Sequence, residues 1–355
     1  MGTTEIKVAY SSLPANERDR RERLNDYFCE LGVSAAQVTD GWTLSFSWPS
    51  SPEYYVDPRL TEGLSWWSET FGEVDVKSIP GALYRESGLQ LSLNDSWTIY
   101  SWSWWLSRFG SLEALPPAVT LLHLDDHDDF MKPRIFFQGQ GWRDGISGLA
   151  LDLWQPKTVE ASIRSGAIGI GSFMAPFLHC LPEVYIRHLC ATEYSSQRKG
   201  PYQVQTVSVA DDLLDPGALR PALKLQPEHS PGDNANRIKI HPYTVTDDTS
   251  RWLSGLPDGP ILLHIDMDYF NNRFNGDSDR VLGEAKYDPP LSSVLSRIDA
   301  VFESLDTEGI LKRLVDVAIA LSPGFFPAEL WAPSIGRIRE HIERFKAEER
   351  WIIGK

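Results

Sequence analysis

Residues 118–130 read AVTLLHLDDHDDF, an apolar run that is followed at once by four aspartates and a histidine. The run has the composition of a buried strand, of the kind found in sheets that are covered on both faces. The acidic cluster repels itself and resists burial unless a cation compensates its charge. The stretch therefore indicates either a metal site or an acidic loop at the end of a strand.

A second stretch, PILLHIDMDYF at residues 260–270, repeats the arrangement with two further aspartates. In α/β folds, ligands bind beyond the carboxyl ends of the strands, where both acidic clusters would lie. Alternation along the chain places every second member of a cluster on the same side. Oxygen donors favour a hard or borderline cation such as Mn²⁺, and a pair of ions would offset the repulsion. The ligands predicted from the two stretches are Asp125, His127, Asp129, Asp266 and Asp268.

The other polar residues of these stretches have different predicted roles. His123 and His264 lie two residues before the first aspartate of each cluster, and we expect them to be core histidines below the ligands. Asp126 and Asp128 point to the opposite side of the chain, so we expect them to be solvated or to cap the next turn.

The chain as a whole alternates apolar, strand-like runs with helical stretches, which is the pattern of a parallel sheet covered by helices on both faces. We therefore predict an α/β fold with a three-layer α/β/α domain at residues 81–355. An N-terminal extension, residues 1–80, is predicted to pack against that domain. The predicted strands are 42–48, 118–124, 166–173, 202–209, 236–245, 260–266 and 314–321, and the predicted helices are 16–32, 291–305 and 335–350.

The composition of the chain favours some classes of binding partner and cellular location over others. The formal net charge of −15 argues against nucleic acid, whose phosphates require Lys and Arg, and it suits a cationic substrate or metal ions. No apolar run approaches the roughly 18 residues that cross a membrane. Three cysteines without CxxC spacing indicate a reducing compartment, so we expect a cytoplasmic protein. The sequence leaves homo-oligomerisation open.

On these residues the chain resembles the ureohydrolase superfamily of arginases and agmatinases, in which DxHxD and DxD motifs end two parallel strands. Asp125, His127 and Asp129 match the first motif, and Asp266 and Asp268 match the second. The resemblance implies an arginase-like three-layer fold, two Mn²⁺ ions and a hydroxide that attacks a guanidinium carbon. It also implies that Asp129 orients this hydroxide by accepting a hydrogen bond.

A closer resemblance is to the divergent arginase-like family that includes the peptide arginases. These enzymes convert arginine to ornithine inside ribosomally made precursor peptides. Residues 170–189, IGSFMAPFLHCLPEVYIRHL, resemble a segment of that family and supply His179. The resemblance implies that His179 passes a proton to the leaving amine. The alternative is a buried, hydrogen-bonded histidine in a helix that begins after Pro176.

Two departures from the family pattern concern a metal ligand and the substrate. Residues 95–105, DSWTIYSWSWW, resemble the segment that normally provides a first histidine ligand, but no histidine precedes His123. Asp95 occupies the position of that histidine and is the sixth predicted ligand. Arginases receive the guanidinium on a glutamate near the end of the last strand, where this chain has Ala320. Glu329 is the predicted replacement, and the alternative is a glutamate favoured by a helix N-terminus.

The expected function is Mn²⁺-dependent hydrolysis of arginine side chains in a precursor peptide, giving ornithine and urea. Eight of the 13 tryptophans lie between residues 42 and 105, where they would either fill the core or line a groove for an extended peptide. One alternative is a hydrolase of a small guanidine or of another C–N bond. A second is a non-catalytic, arginase-fold protein that binds peptides. A two-metal phosphoesterase would need downstream motifs that the sequence lacks.

Overall fold

The computed structural model describes residues 5–86, 88–139, 141–190, 201–228, 238–276, 288–351 and 353. Numbered in chain order, the strands are β1 (Glu5–Val8), β2 (Gly32–Val38), β3 (Gly41–Ser47), β4 (Leu83–Glu86), β5 (Leu89–Ser92), β6 (Val119–Leu124), β7 (Ile135–Gln138), β8 (Gly141–Asp144), β9 (Ala150–Leu151), β10 (Val184–Leu189), β11 (Tyr202–Ala210), β12 (Leu219–Pro227), β13 (Ile240–Thr246), β14 (Ile261–Asp266) and β15 (Leu314–Ala320). The helices are α1 (Glu17–Phe28), α2 (Leu60–Phe71), α3 (Thr98–Leu106), α4 (Pro156–Arg164), α5 (Met174–Cys180), α6 (Thr249–Leu253), α7 (Leu291–Thr307) and α8 (Trp331–Ala347).

A large sheet forms the centre of the fold. Within the described residues it has nine strands, in the order β12-β11-β13-β10-β6-β14-β15-β5-β4. The neighbours from β13 through β5 are all parallel, whereas β11, β12 and β4 add antiparallel strands at the two edges. The predicted α/β class with a mainly parallel sheet is therefore confirmed. Its likeness to the arginase fold stays a prediction.

Helices cover both faces of this sheet because the side chains of its central strands alternate between two apolar layers. In β6, Leu122 and Leu124 belong to one hydrophobic cluster, and Val119 and Leu121 belong to the other. Helices α2, α7 and α8 supply apolar side chains to the first cluster, and α3, α4 and α5 supply them to the second. Every residue of β6 is buried, as expected for a strand with helices on both sides.

In the middle of the chain, one predicted strand is wrong and one strand was not predicted. Residues 166–173 form turns and not a strand, because Gly166 and Gly171 adopt φ values of 82° and 65° that break an extended backbone. The neighbour of β6 on the side opposite β14 is β10, which the prediction missed. Its Arg187 and His188 interrupt the apolar pattern, although His188 is fully buried.

The remaining predicted elements differ from the structure mainly at their ends. The N-terminal helix was expected to reach Gly32, but α1 ends at Phe28 because Cys29 has a φ of 54°. Its start is fixed by Asn16, whose side chain accepts hydrogen bonds from two backbone amides of the first turn. The predicted strand 236–245 corresponds to β13, and its first two residues lie outside the described residues. The predicted strand 202–209 is β11, which pairs antiparallel.

The N-terminal segment packs against the rest of the chain through its own small core. Strands β1, β3 and β2 form an antiparallel sheet, and its apolar face with α1 encloses Ile146 and Leu213 from later in the chain. The Arg134 guanidinium donates hydrogen bonds to the carbonyl oxygens of Tyr27 and Phe28 at the end of α1. The division into an extension and a catalytic domain stays a prediction. Across the described ranges, the helices are too short or too polar to cross a bilayer.

Asp316 in β15 is a buried carboxyl whose titration should make the stability of the fold depend on pH. Its Oδ1 accepts a hydrogen bond of 2.7 Å from the Ser101 hydroxyl, and burial raises its pKa to about 6 while Ser101 and Arg85 oppose the rise. The folded protein therefore binds this proton more tightly than the unfolded chain does, so this carboxyl makes stability fall as pH rises from about 4 to 6.

We predict that Asp316→Asn removes this dependence. The free energy of unfolding of the variant, relative to the wild type, should rise by about 2 kcal/mol between pH 4 and pH 7.5, at about 1.4 kcal/mol per pKa unit. Urea denaturation at several pH values measures this difference. Asp40→Asn, at an exposed position, is the control and should keep the wild-type slope. A variant of Asp316 with that same slope would contradict the prediction.

Candidate metal centre

The two acidic motifs meet because β6 and β14 are adjacent parallel strands. Their register pairs His123 with His264 and Leu124 with Ile265, so both strands end at the same edge of the sheet. The motifs are also joined directly, since the backbone amide of Asp126 donates a hydrogen bond of 3.2 Å to Oδ1 of Asp268. Residues about 140 positions apart in the sequence are thereby brought into one site.

Each motif folds back on itself through a short turn. The first aspartate accepts a hydrogen bond from the amide two residues later: His127 to Asp125 at 2.7 Å, and Asp268 to Asp266 at 3.0 Å. Asp129 then adopts a φ of 56°, in the left-handed region that few residues other than glycine occupy. The chain leaves the strand direction at once, so alternate acidic residues converge and do not extend in a line.

Potential ligand atoms form two groups that share Asp125. The first contains His123, Asp125, Asp129 and His264, all buried, with one ligand atom from each lying within 4.8 Å of the others. The second contains Asp125, His127 and Asp268. In this second group the His127 Nδ1 atom lies 2.9 Å from Asp268 Oδ2 and 3.5 Å from Asp125 Oδ1. This buried cluster of histidines and aspartates could bind a metal ion.

The buried carboxylates carry oxygens that the described protein atoms leave without a hydrogen bond. These atoms are Asp95 Oδ1, Asp125 Oδ2 and Asp129 Oδ2. The opposite oxygen of Asp95 accepts a hydrogen bond of 3.0 Å from the Gly171 amide. Buried acceptor atoms without donors are unfavourable, and a bound cation would satisfy them. The residues present therefore fit a metal ion.

Electrostatics supports the same conclusion. Burial raises the pKa of Asp125 to about 7, and the neighbouring carboxylate of Asp268 adds to the rise. Burial also raises the pKa values of Asp95, Asp129 and Asp266 well above the ordinary range, with further contributions from the surrounding carboxylates. Bound protons or cations reduce the repulsion between these carboxylates, and one divalent ion can replace several protons.

His127 has its ring nitrogens arranged as a metal ligand requires. Its Nε2 lies 3.0 Å from the Asn275 side-chain oxygen, which can only accept, so Nε2 carries the hydrogen. The Nδ1 atom then faces the carboxylates of Asp125 and Asp268. Burial lowers the pKa of His127, but these two carboxylates raise it by more, so a metal ion would displace a proton from Nδ1.

The two strand histidines lie closer to the candidate ligands than the sequence suggested. Their Nδ1 atoms are 2.9 Å apart, and His123 Nε2 is 3.0 Å from the His127 carbonyl oxygen. Burial lowers the pKa of both rings well below the ordinary value, so both are neutral. His123 therefore donates through Nε2 and accepts from His264 through Nδ1. Either ring would have to break this bond to bind an ion through Nδ1. The sequence contains a signal for this pair, because each motif has a histidine two residues before its first aspartate.

A cavity of about 480 Å³ opens onto the cluster. Asp95, His127, Asp129, Asp266 and Asp268 line its acidic side. The N-terminal segment and the turn after β15 supply further lining residues, among them Glu30, Trp48, Tyr54, Tyr55 and Phe325. Of the early tryptophans, Trp97, Trp102 and Trp105 are buried in the core, whereas Trp48 reaches the cavity.

Two predicted site residues are not brought to this cavity. His179 lies in the last turn of α5 with its Nε2 3.1 Å from the Ala222 carbonyl oxygen, and it packs against Phe137. This environment is that of a half-buried, hydrogen-bonded histidine, and its role as proton donor stays a prediction. The Glu329 carboxylate lies 2.7 Å from the Arg273 guanidinium and is not among the cavity-lining residues, so its role as guanidinium acceptor stays a prediction that this location does not favour.

We predict that the protein binds Mn²⁺ and that Asp125→Asn weakens binding by more than about 100-fold, since even partners of metal ligands contribute about 10- to 100-fold. Protons compete with the ion for Asp125, so affinity should also fall as pH drops below about 7. Calorimetric titration at pH 8 and pH 6 measures both effects. Asp40→Asn is the control, and equal affinities for it and the Asp125 variant would argue against the site.

The orientation of His127 gives a second prediction. Asn275 has a φ of 50°, so Asn275→Gly removes the acceptor and keeps the backbone conformation. We expect this variant to lose about 10- to 100-fold in Mn²⁺ affinity, whereas Asn275→Asp, which retains an acceptor, should bind at least as well as the wild type. Equal loss in both variants would indicate a purely structural effect.

No protein-family model matches the chain, and no curated protein matches it significantly. The functional assignment therefore depends on the geometry of this site and on the motifs that form it.

Proposed function

We propose that this protein is a Mn²⁺-dependent hydrolase that converts arginine side chains of a ribosomally made precursor peptide to ornithine and urea. The observation that carries the proposal is the set of buried carboxylates whose oxygens lack donors, at the acidic side of a cavity beyond β6 and β14. The match of the two motifs to the ureohydrolase pattern supports the choice of reaction.

The predicted ligands remain Asp95, Asp125, His127, Asp129, Asp266 and Asp268. Asp125 belongs to both groups of ligand atoms and is the residue best suited to contact two ions. Carboxylate oxygens with one imidazole favour Mn²⁺ over a metal that prefers thiolates. When bound, the ions would lower the pKa of a water molecule and supply hydroxide at neutral pH.

The chain's own residues have distinct roles in this reaction. Ser322 donates a hydrogen bond of 2.5 Å to Asp266 Oδ2, which holds that carboxylate in place. Asp129, with its unpartnered Oδ2, accepts a hydrogen bond from the attacking water and takes its proton. The water oxygen adds to the guanidinium carbon and the bond to the side-chain nitrogen breaks. Both protons of the water reach this nitrogen, the first through Asp129 and the second from the hydroxyl left on the former guanidinium carbon. A guanidinium and one water therefore give urea and an ammonium group.

The cavity suits a peptide better than free arginine. Its wall beyond the acidic side is apolar and aromatic, with Trp48, Tyr54, Tyr55 and Phe325. Within the described part of the chain, no Lys or Arg lines it to bind the α-carboxylate of a free amino acid. The net charge of −15 also attracts a cationic peptide.

The test is to incubate the Mn²⁺-loaded protein with arginine-containing peptides, free arginine and agmatine. Mass spectrometry of the peptides and an assay for urea then measure conversion to ornithine. We expect peptide conversion that Asp266→Asn reduces by at least about 1,000-fold, because Asp266 is a predicted ligand. Hydrolysis of the small guanidines alone would favour the alternative small-molecule hydrolase. Mn²⁺ and peptide binding without any hydrolysis would favour a non-catalytic peptide-binding protein.

A further inference from the structure

Glu30 is a buried acid that lies outside both metal motifs and lines the same cavity. It lies in the turn that follows α1, and its residue surface is only 5% exposed. Its Oε2 accepts a hydrogen bond of 2.7 Å from the Ile170 amide. Its Oε1 is buried and has no hydrogen-bond partner among the described residues. An acid in this state has the capacity to bind a further donor.

Glu30 and Asp95 are held side by side by consecutive backbone amides. The Ile170 amide binds Glu30 and the Gly171 amide binds Asp95 at 3.0 Å, and each carboxylate keeps one oxygen without a donor. The charge of Glu30 also adds to the rise in the pKa of Asp95, of which burial is the largest cause and to which Asp125 contributes as well. The pair therefore extends the acidic side of the cavity from the metal cluster toward the N-terminal segment.

The surrounding structure makes room for the Glu30 carboxylate. A Cβ atom on Gly169 would lie 1.9 Å from Glu30 Oε1, so a side chain at this position is excluded while Glu30 occupies its place. The nearby Arg134 guanidinium donates its hydrogen bonds to the carbonyl oxygens of Tyr27, Phe28 and Gly166. Oε1 is thus left for a ligand that enters the cavity.

A guanidinium matches this acceptor best. It is planar and carries several N–H donors, so it can bind Oε1 and still present its carbon to the metal cluster. The aromatic rings of Trp48, Tyr54 and Tyr55 line the same cavity and would pack against the aliphatic stem of the side chain. Glu329 also has one buried oxygen, Oε2, without a partner among the described residues, but it does not line this cavity.

We propose that Glu30 is the residue that selects the cationic side chain, binding the guanidinium of a peptidyl arginine beside the metal centre. This inference rests on the proposed function for the identity of the substrate, but binding can be measured without turnover. An acid from the N-terminal segment thereby takes the place of the glutamate that the last strand lacks at Ala320.

The experiment compares the affinities of two peptides that differ only in arginine or citrulline, using the Mn²⁺-loaded protein. Citrulline keeps the shape of the side chain and lacks its charge. We expect the wild type to bind the arginine peptide more tightly than the citrulline peptide. In Glu30→Gln the ratio of these two affinities should fall by at least about tenfold, since a neutral amide cannot make the charge-assisted bond. Where hydrolysis is observed, the variant should raise KM more than it lowers kcat.

Two controls isolate the role of Glu30. Glu53→Gln removes the same charge at an exposed position of the N-terminal segment and should keep the preference. Mn²⁺ affinity should fall much less in Glu30→Gln than in Asp125→Asn, because Glu30 neighbours Asp95 but is not a predicted ligand.

The outcomes also separate this inference from the proposed function. If the wild type hydrolyses no peptide but prefers arginine, and Glu30→Gln abolishes this preference, the results support the role of Glu30 and contradict the proposed reaction. Hydrolysis by a Glu30→Gln variant that retains the full preference would overturn the role of Glu30 and leave the reaction intact. Loss of Mn²⁺ binding in this variant would also overturn it, because Glu30 would then act through the metal centre.

Discussion

The burial of several carboxylates at one edge of a parallel sheet is the constraint on which the rest of this structure depends. Asp95, Asp125, Asp129 and Asp266 are each at most 5% exposed. Removing an ionised carboxylate from water is unfavourable by several kcal/mol, so four of them together require positive charge or protons. Backbone amides and one serine hydroxyl bind some of the oxygens, and the others remain for cations. This imbalance is the physical reason to assign a metal centre.

The fold satisfies this constraint by bringing together segments that are distant in the sequence. The strands β6 and β14 provide the two motifs, and the turn after β15 provides Ser322, which binds Asp266. The turn at residues 170–171 orients Asp95 and Glu30 through neighbouring amides. The N-terminal segment then contributes one wall of the cavity. Cations therefore have access to the carboxylates from the cavity, while the sheet side is closed by neutral histidines.

The two glutamates illustrate how an acid's surroundings decide its role. Glu329 was a reasonable candidate for substrate binding because it follows the last strand, yet its carboxylate already binds the Arg273 guanidinium. Glu30 gave no local signal, since it lies in a charged helical stretch where most acids are solvated. Its burial and its unpartnered oxygen arise only from contacts with Ile170 and Gly169.

The sequence by itself determined the strands β6, β14 and β15 and most of the acidic cluster. Apolar runs that end in alternating aspartates, at Asp125 and Asp266, are local patterns, and side-chain alternation is a property of the backbone alone. The tertiary structure decided what local patterns cannot encode: the place of β10 beside β6, the turns at residues 166–173, and the distance of His179 from the cavity. It also decided that Glu30 lies at the site. Each of these depends on which distant segments pack together, and long-range packing is set by the whole chain and not by neighbouring residues.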